Sequence, residues 1–255
     1  MNAWARMLDV GGSILRMWAM VSVVWVLLLV LARRFKIQRT GFDAKLLRHE
    51  LLFSALTLGA SAMTIGILWG ALRRAGHMTF TEGAPTGWVV LGEFAVYFFV
   101  FDLYFYALHR VMHLGPVFHW VHATHHRSMA PDPLTAFSFN PLEGILTGGF
   151  LPIFLAVFEV HRESLGAIAT FQPLMSLFVH SGHEFFPRWW YRLPATGWLQ
   201  TPLFHDRHHS LVGYNYGGFT TLWDRVFGTV APSFRPDFES REWRAPVPSA
   251  APLST

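Results

Sequence analysis

The residues with chemistry to offer are histidines. Residues 122–126 read HATHH and residues 205–209 read HDRHH, the same i, i+3, i+4 spacing twice. Upstream, HRVMH at 109–113 adds a pair at i, i+4. On a helix these spacings place side chains on one face. Three short segments would then present eight imidazoles: His109, His113, His122, His125, His126, His205, His208 and His209. The chain holds 14 histidines, and all but His49 and His77 fall between positions 109 and 209. A lone histidine is usually a hydrogen-bonded structural residue. Gathered neutral imidazoles in a dry site are different, because many nitrogens need partners and each bare one is costly. A cation satisfies several at once. Cysteine is absent, which excludes thiolate ligands and disulfides. Imidazole suits Zn, Cu, Fe and Ni. Eight ligands exceed what one ion takes, so the pattern predicts two. The Glu-x-x-His motifs of carboxylate-rich di-iron bundles are missing, so the centre is expected to be all-histidine or nearly so.

The elements that must position these rings are apolar. Of 255 residues, 52% are hydrophobic and 14% charged, well under the roughly 25% charge of soluble domains. Residues 51–72 carry no charge, enough to cross a hydrocarbon core of about 30 Å as a helix. Residues 10–32, interrupted by Arg16, and the aromatic-rich 87–108 predict two more spans. The stretches 144–158 and 164–181 are apolar but broken by Gly144, Gly148, Gly149, Pro152 and Pro173. They predict a hairpin that enters the membrane, in part or in full. No segment resembles a cleaved signal peptide, since the first apolar run is followed by a basic cluster.

The loop 33–48 carries Arg33, Arg34, Lys36, Arg39, Lys45 and Arg48, whereas 73–86 carries only Arg73 and Arg74. By the positive-inside rule the first loop is cytoplasmic. The third span then delivers His109 to that side, and a hairpin returns the chain to it, so all three clusters can meet at one membrane face. The net charge of +4 is read as membrane topology rather than nucleic-acid binding. The expected fold is thus an all-α integral membrane protein. It has about three full transmembrane helices, a membrane-embedded helical hairpin and a cytoplasmic helical cap carrying the histidines. Residues 1–86 would hold the N-terminal spans, 87–235 the catalytic region and 236–255 a disordered tail.

In order and approximate spacing, HRVMH, HATHH and HDRHH resemble the three histidine boxes of the sterol desaturase / fatty acid hydroxylase superfamily of integral-membrane di-iron enzymes. The segment NYGGFTTLWDRVFGT at 215–229 is similar to that family's block after the third box, especially in lathosterol-oxidase-type sterol desaturases, and SFNPLE at 138–143 to the stretch after the second. The resemblance covers about 90–235. It implies metal ligands at the eight box histidines, and a further one within VHSGH, with His180 preferred to His183. It implies two Fe ions, with Zn as a possible substitute, and O2-dependent hydroxylation or desaturation of an unactivated C–H bond in a sterol-like or fatty-acyl lipid.

The chain has no Rossmann fingerprint, flavin motif or cluster-binding cysteines. Two electrons per turnover must therefore come from NAD(P)H through an external carrier, a b-type cytochrome or a ferredoxin plus reductase. The lipid substrate would enter from the bilayer, with the aromatics at 97–106 lining its path. Only Lys36 and Lys45 among 20 basic residues are lysines, which points to a GC-rich bacterial genome and the inner membrane, or the ER membrane if eukaryotic.

Asp102, an acid inside a span, is a functional candidate by cost alone, expected as a partner for a ligand N–H. Asn140 and Asp224 are weaker candidates for that role, and Trp223 is read as packing. His119 is expected not to ligate, His161 to sit solvated at the hairpin tip, and His49 and His77 to be interfacial. Three rivals stand beside the oxidase. A zinc hydrolase would need a Glu base and HExxH. A metal transporter would place ligands at the membrane midplane. A bis-histidine haem protein would use single histidines. A histidine-rich metal-binding or transport protein without oxygenase activity is the leading alternative.

Overall fold

The computed structural model describes residues 43–240, together with 35–38 and positions 23 and 27. The span expected at 10–32 lies outside the described residues except for Val23 and Leu27, as do residues 241–255. Everything below belongs to the compact unit that begins at Ile37.

Four long helices build the frame. Helix α1 (Ala44–Arg74) starts at Asp43, whose carboxylate accepts from the amides of Lys45 and Leu46, and ends on Arg73 and Arg74. Acid at the start and base at the end both complement the helix dipole. Helix α2 (Gly87–Met112) is capped by the Thr86 hydroxyl and stops at His113, just before Gly115-Pro116. Both are long and apolar enough to cross a membrane. Leu51, Leu52, Leu56, Met63 and Ile67 leave the outer side of α1 apolar and exposed, as a lipid-facing surface requires. Helix α3 (Pro141–Val157) is capped by Asn140, with Pro141 at its first position, where the missing N–H costs nothing. Helix α4 (Arg162–Val179) returns antiparallel to it.

The inner side of α1 carries Glu50, Ser54, Thr57, Ser61 and Thr64, steps of three and four that form one stripe. Ser54 donates to the Leu134 carbonyl, Thr57 to Phe139 and Ser61 to Gly144. Glu50 accepts from the Ser128 and Thr135 hydroxyls at 2.7 and 2.8 Å. The stripe therefore holds down the chain between the second histidine cluster and α3. The α1–α3 contact itself depends on small residues. A Cβ at Gly144 would lie 2.8 Å from Thr57 Cγ2, and one at Gly148 3.0 Å from Ser61 Cβ. This is a glycine pair at i, i+4, the spacing that lets apolar helices approach closely.

The hairpin reaches further than the sequence suggested. Its tip, β2 (Val160–His161), pairs in parallel with β1 (Phe80–Thr81) in the α1–α2 connection. The tip thus lies at the end of α1 and α2 remote from the histidines. Pro152 and Pro173 sit inside α3 and α4 without ending them. His161, expected to be solvated, instead meets Glu93 at 2.7 Å with its side chain 13% exposed. Tyr97, Phe101, Phe150, Phe154, Ile168 and Phe219 fill the space between α2, α3 and α4.

Beyond α4, helix α5 (Pro202–Leu211) is capped by Thr201 and carries the third cluster. Helices α6 (Leu222–Val226) and α7 (Phe234–Ser240) complete the cap. Phe234 and Phe238 of α7 are buried against Leu203 and Phe204, so ordered structure continues past position 236, where a disordered tail was expected to begin. Overpacking a tight helix contact costs typically 1–3 kcal/mol. Gly148→Val is expected to lower the unfolding midpoint in detergent, while Gly166→Ala, with open space around it, leaves it nearly unchanged. Equal midpoints for the two variants would contradict the close α1–α3 contact.

Candidate metal centre

Each cluster is positioned by a different local device. His109 lies in the last turn of α2, and His113 caps it. The second cluster does not ride on a regular α-helix. Phe118–His122 is a π-helical turn, closed by the Ala123 amide on the Phe118 carbonyl, and His125–Arg127 is a 3-10 turn. Widening and then tightening the spiral turns His122, His125 and His126 all inward, and π-turns of this kind recur at functional sites. The third cluster sits on α5, where every residue from Pro202 to Ser210 is buried. Between its histidines, Arg207 donates to Asp206 at 3.1 Å and to Asp237 at 2.6 Å, and Gln38 donates to Asp206 at 2.8 Å. These contacts lock α5 onto α7. Burial pushes the Asp206 carboxyl up to about 6.

The rings converge in two groups. One contains His109, His113, His122, His126 and His208, and the other His125, His180, His205 and His209. Within each, one nitrogen per residue lies within 4.8 Å of the rest. The groups adjoin, with His126 and His209 stacked at 4.8 Å. All eight box histidines are thus brought together, and His180 joins them. His183 does not. Its Nδ1 turns back to its own neighbour, the Ser181 carbonyl, at 2.6 Å.

The outer nitrogens decide what the inner ones are. Nδ1 of His109 meets the Tyr216 carbonyl at 2.8 Å, His208 the Tyr214 carbonyl at 2.7 Å, His180 the Ser176 carbonyl at 2.7 Å, and His125 the Ser138 carbonyl at 3.3 Å. A carbonyl only accepts, so each of these Nδ1 atoms carries the proton. A neutral imidazole has one proton, so each Nε2 presents a lone pair. His122 Nδ1 lies 2.8 Å from the Glu143 carboxyl, which accepts from it when ionised, the state that a cation on Nε2 would favour. The Nε2 atoms then face one another: His109 and His122 at 3.0 Å, His125 and His180 at 3.2 Å, His126 and His208 at 3.0 Å, His180 and His205 at 2.9 Å. Where both nitrogens are proton-free, as in the His125–His180 pair, they repel at that distance unless a cation lies between them.

The spacing fits a crowded coordination sphere. With metal–nitrogen bonds of about 2.1 Å, ligands at right angles sit about 3.0 Å apart and tetrahedral ones about 3.4 Å apart. Burial, reinforced by neighbouring rings, also keeps these imidazoles neutral. It takes His180 down to about 4 and His126 to about 3, and holds His122, His125, His205, His208 and His209 well below the ordinary imidazole range. The residues present therefore suit two cations.

Asp102 does not reach an imidazole. Its carboxylate accepts from the Phe219 and Thr220 amides and, at 2.5 Å, from the Thr220 hydroxyl. Asp224 accepts from the Tyr216 and Gly217 amides and from Thr229. These two acids clamp the 215–221 loop, whose Tyr216 carbonyl orients His109. A Cβ at Gly217 would run into the Thr220 carbonyl and the Asp224 carboxylate. Asn140 caps α3 and donates to the Trp120 carbonyl, again away from the rings. His119 and His77 are exposed, and His49 lies near the Thr124 carbonyl. Glu143, 1% exposed, is the partner that sequence reasoning missed. Its signal was an acid in the first turn of an otherwise uncharged helix.

A cavity of about 80 Å³ abuts both groups. His109, His122, His125, His180 and His205 border it, together with Phe101, Phe105, Phe139, Val179 and Phe219. Of the aromatic run 97–106, Phe101 and Phe105 line this cavity, while Tyr97 packs in the core.

A family model described as fatty acid hydroxylase matches residues 94–229, which include every residue of both groups. The chain is 34% identical to methylsterol monooxygenase erg25A of Aspergillus fumigatus over 161 residues, 60% of this chain and 52% of the relative. It is 32% identical to a Delta(7)-sterol 5(6)-desaturase of Eremothecium gossypii, over 60% of this chain and 41% of the relative. It is 28% identical to lathosterol oxidase of Rattus norvegicus, over 74% and 66%. The matched stretch thus spans about two fifths to two thirds of these relatives' lengths. No solved structure matches.

Removing a carboxylate that orients a ligand imidazole typically weakens metal binding 10- to 100-fold. Glu143→Leu is expected to do so in a chelator competition with the purified protein. Unchanged affinity would mean that the carboxylate does not set the orientation of His122.

Proposed function

Because the chain belongs to the sterol desaturase / fatty acid hydroxylase superfamily, we propose that it is an O2-dependent di-iron membrane oxidoreductase that hydroxylates or desaturates a lipid. The observation that carries this reading is the convergence of nine imidazoles, eight of them buried, in two adjoining groups, one of five and one of four. His109, His113, His122, His126 and His208 would hold one iron, and His125, His180, His205 and His209 the other. When bound, such a pair supplies the redox chemistry that dioxygen needs to oxidise an unactivated C–H bond.

The protein's own part is to place the substrate and keep the site dry. Phe101, Phe105, Phe139, Val179 and Phe219 line the same cavity as the imidazoles, which suits a hydrocarbon segment and disfavours water. At about 80 Å³, the cavity takes two or three groups of water size, about 30 Å³ each. It houses the reacting segment and not a whole lipid. The rest of the substrate would lie outside it, toward the bilayer. The backbone carbonyls of Ser138, Ser176, Tyr214 and Tyr216 hold the Nδ1 protons of His125, His180, His208 and His109 outward, so these four rings do not donate into the cavity.

The sterol names of the relatives favour a sterol-like or other polycyclic lipid, with a fatty-acyl chain as the second choice. In this reading the histidines lie at the cytoplasmic face, where an external carrier, a b-type cytochrome or a ferredoxin with its NAD(P)H reductase, delivers electrons. Expression in a host fed candidate lipids, followed by mass spectrometry, is the test. A product 16 mass units heavier, or 2 lighter, than one of the lipids is expected. His126→Ala and His209→Ala should each abolish it and lower the iron content of the purified protein. Product formation by either variant would contradict the proposal, and metal binding or transport with no oxidised lipid would favour the alternative.

A further inference from the structure

One side chain beside the second group is in an arrangement that cannot persist with a cation present. Gln200 is 1% exposed, borders the cavity and is held by its backbone amide on the Phe219 carbonyl at 3.0 Å. Its Nε2 lies 3.4 Å from Nδ1 of His205, and its Oε1, also buried, has no partner among the described residues. His205 turns its other nitrogen inward, with Nε2 2.9 Å from that of His180 and 3.2 Å from that of His209. If Nε2 gives its lone pair to a cation, the ring's one proton is on Nδ1. An amide NH2 then faces an N–H, donor against donor, while an oxygen able to accept that proton stands unused on the same side chain.

Amide oxygen and nitrogen are assigned from the hydrogen-bond network, and here the network asks for the reverse. Turning the amide half a revolution about its terminal bond puts Oε1 opposite the Nδ1 proton. It leaves the NH2 group where Oε1 stood. From this we infer that Gln200 is the positioning residue of His205, accepting its Nδ1 proton and so fixing the tautomer that presents Nε2 to the four-histidine ion. His205 needs such a partner because the other anchored rings use backbone carbonyls or Glu143. No carbonyl meets His205 Nδ1 among the described residues.

The inference rests on the two-cation reading of the centre, and the test separates the two. The full chain in detergent, stripped of metal, is titrated with Zn2+ against a chelator. Wild type is expected to bind two ions; a wild type that binds none or one would fail the two-cation reading, not this assignment. Gln200→Met keeps the bulk but removes the acceptor. It should weaken one ion about 10- to 100-fold, the usual effect of losing a partner of a ligand imidazole, and leave the other as in wild type. Gln200→Glu restores an acceptor and should bring the weakened ion back to within a few-fold of wild type. A loss of the same size in both variants would point to packing and overturn the assignment, as would no loss in either.

Discussion

Everything at the centre depends on where the imidazole protons are held. Backbone carbonyls and one carboxylate take up the Nδ1 protons of His109, His122, His125, His180 and His208, and the opposite nitrogens are left bare in a dry interior. Bare nitrogens about 3 Å apart are unfavourable by themselves. The frame has to be stiff enough to hold them there before any cation arrives. That requirement explains why so much of the polar chemistry of this apolar chain is spent on backbone. Asp102 and Asp224 fix the loop that supplies the Tyr216 carbonyl. Glu50, Ser54 and Thr57 fix the segment between the second cluster and α3. Asp206, Arg207 and Asp237 fix α5.

The same logic connects the membrane helices to the site. Glu143 stands in the first turn of α3, so the angle of α3 sets the orientation of His122. That angle is set in turn by the α1–α3 contact, where Gly144 and Gly148 admit Thr57 and Ser61. His180 caps α4 and accepts its place from the final turn of that helix, through the Ser176 carbonyl. A helix shift anywhere in this bundle is therefore felt at a ligand nitrogen.

How much of this could be read from the residues follows from what spacing encodes. Histidines at i, i+3 and i+4 announce a shared face, and the eight box positions and His180 do meet. The helical face expected for His122, His125 and His126 is built from a π-turn and a 3-10 turn, because spacing alone does not distinguish these from an α-helix when the same rings end up inward. The glycines and prolines of 144–181 read as a shallow hairpin. Gly144 and Gly148 mark close packing against α1, and Pro152 and Pro173 sit within the helices. The depth of the hairpin is visible only in the pairing of Phe80 with Val160. Asp102 was legible as costly, but not its target, which lies on a loop more than 110 residues away. Gln200 was not legible as a site residue, since a single amide near a helix start carries no spacing signal, and Glu143 offered only an acid in the first turn of an otherwise uncharged helix. Their roles come from distances between elements far apart in sequence.

X-ray absorption at the metal edge of the reconstituted full chain addresses the central claim most directly. The account predicts two metals per chain, each with on average four to five imidazole nitrogens at about 2.0–2.1 Å. A sphere dominated by oxygen ligands, or fewer than three nitrogens per metal, would contradict it.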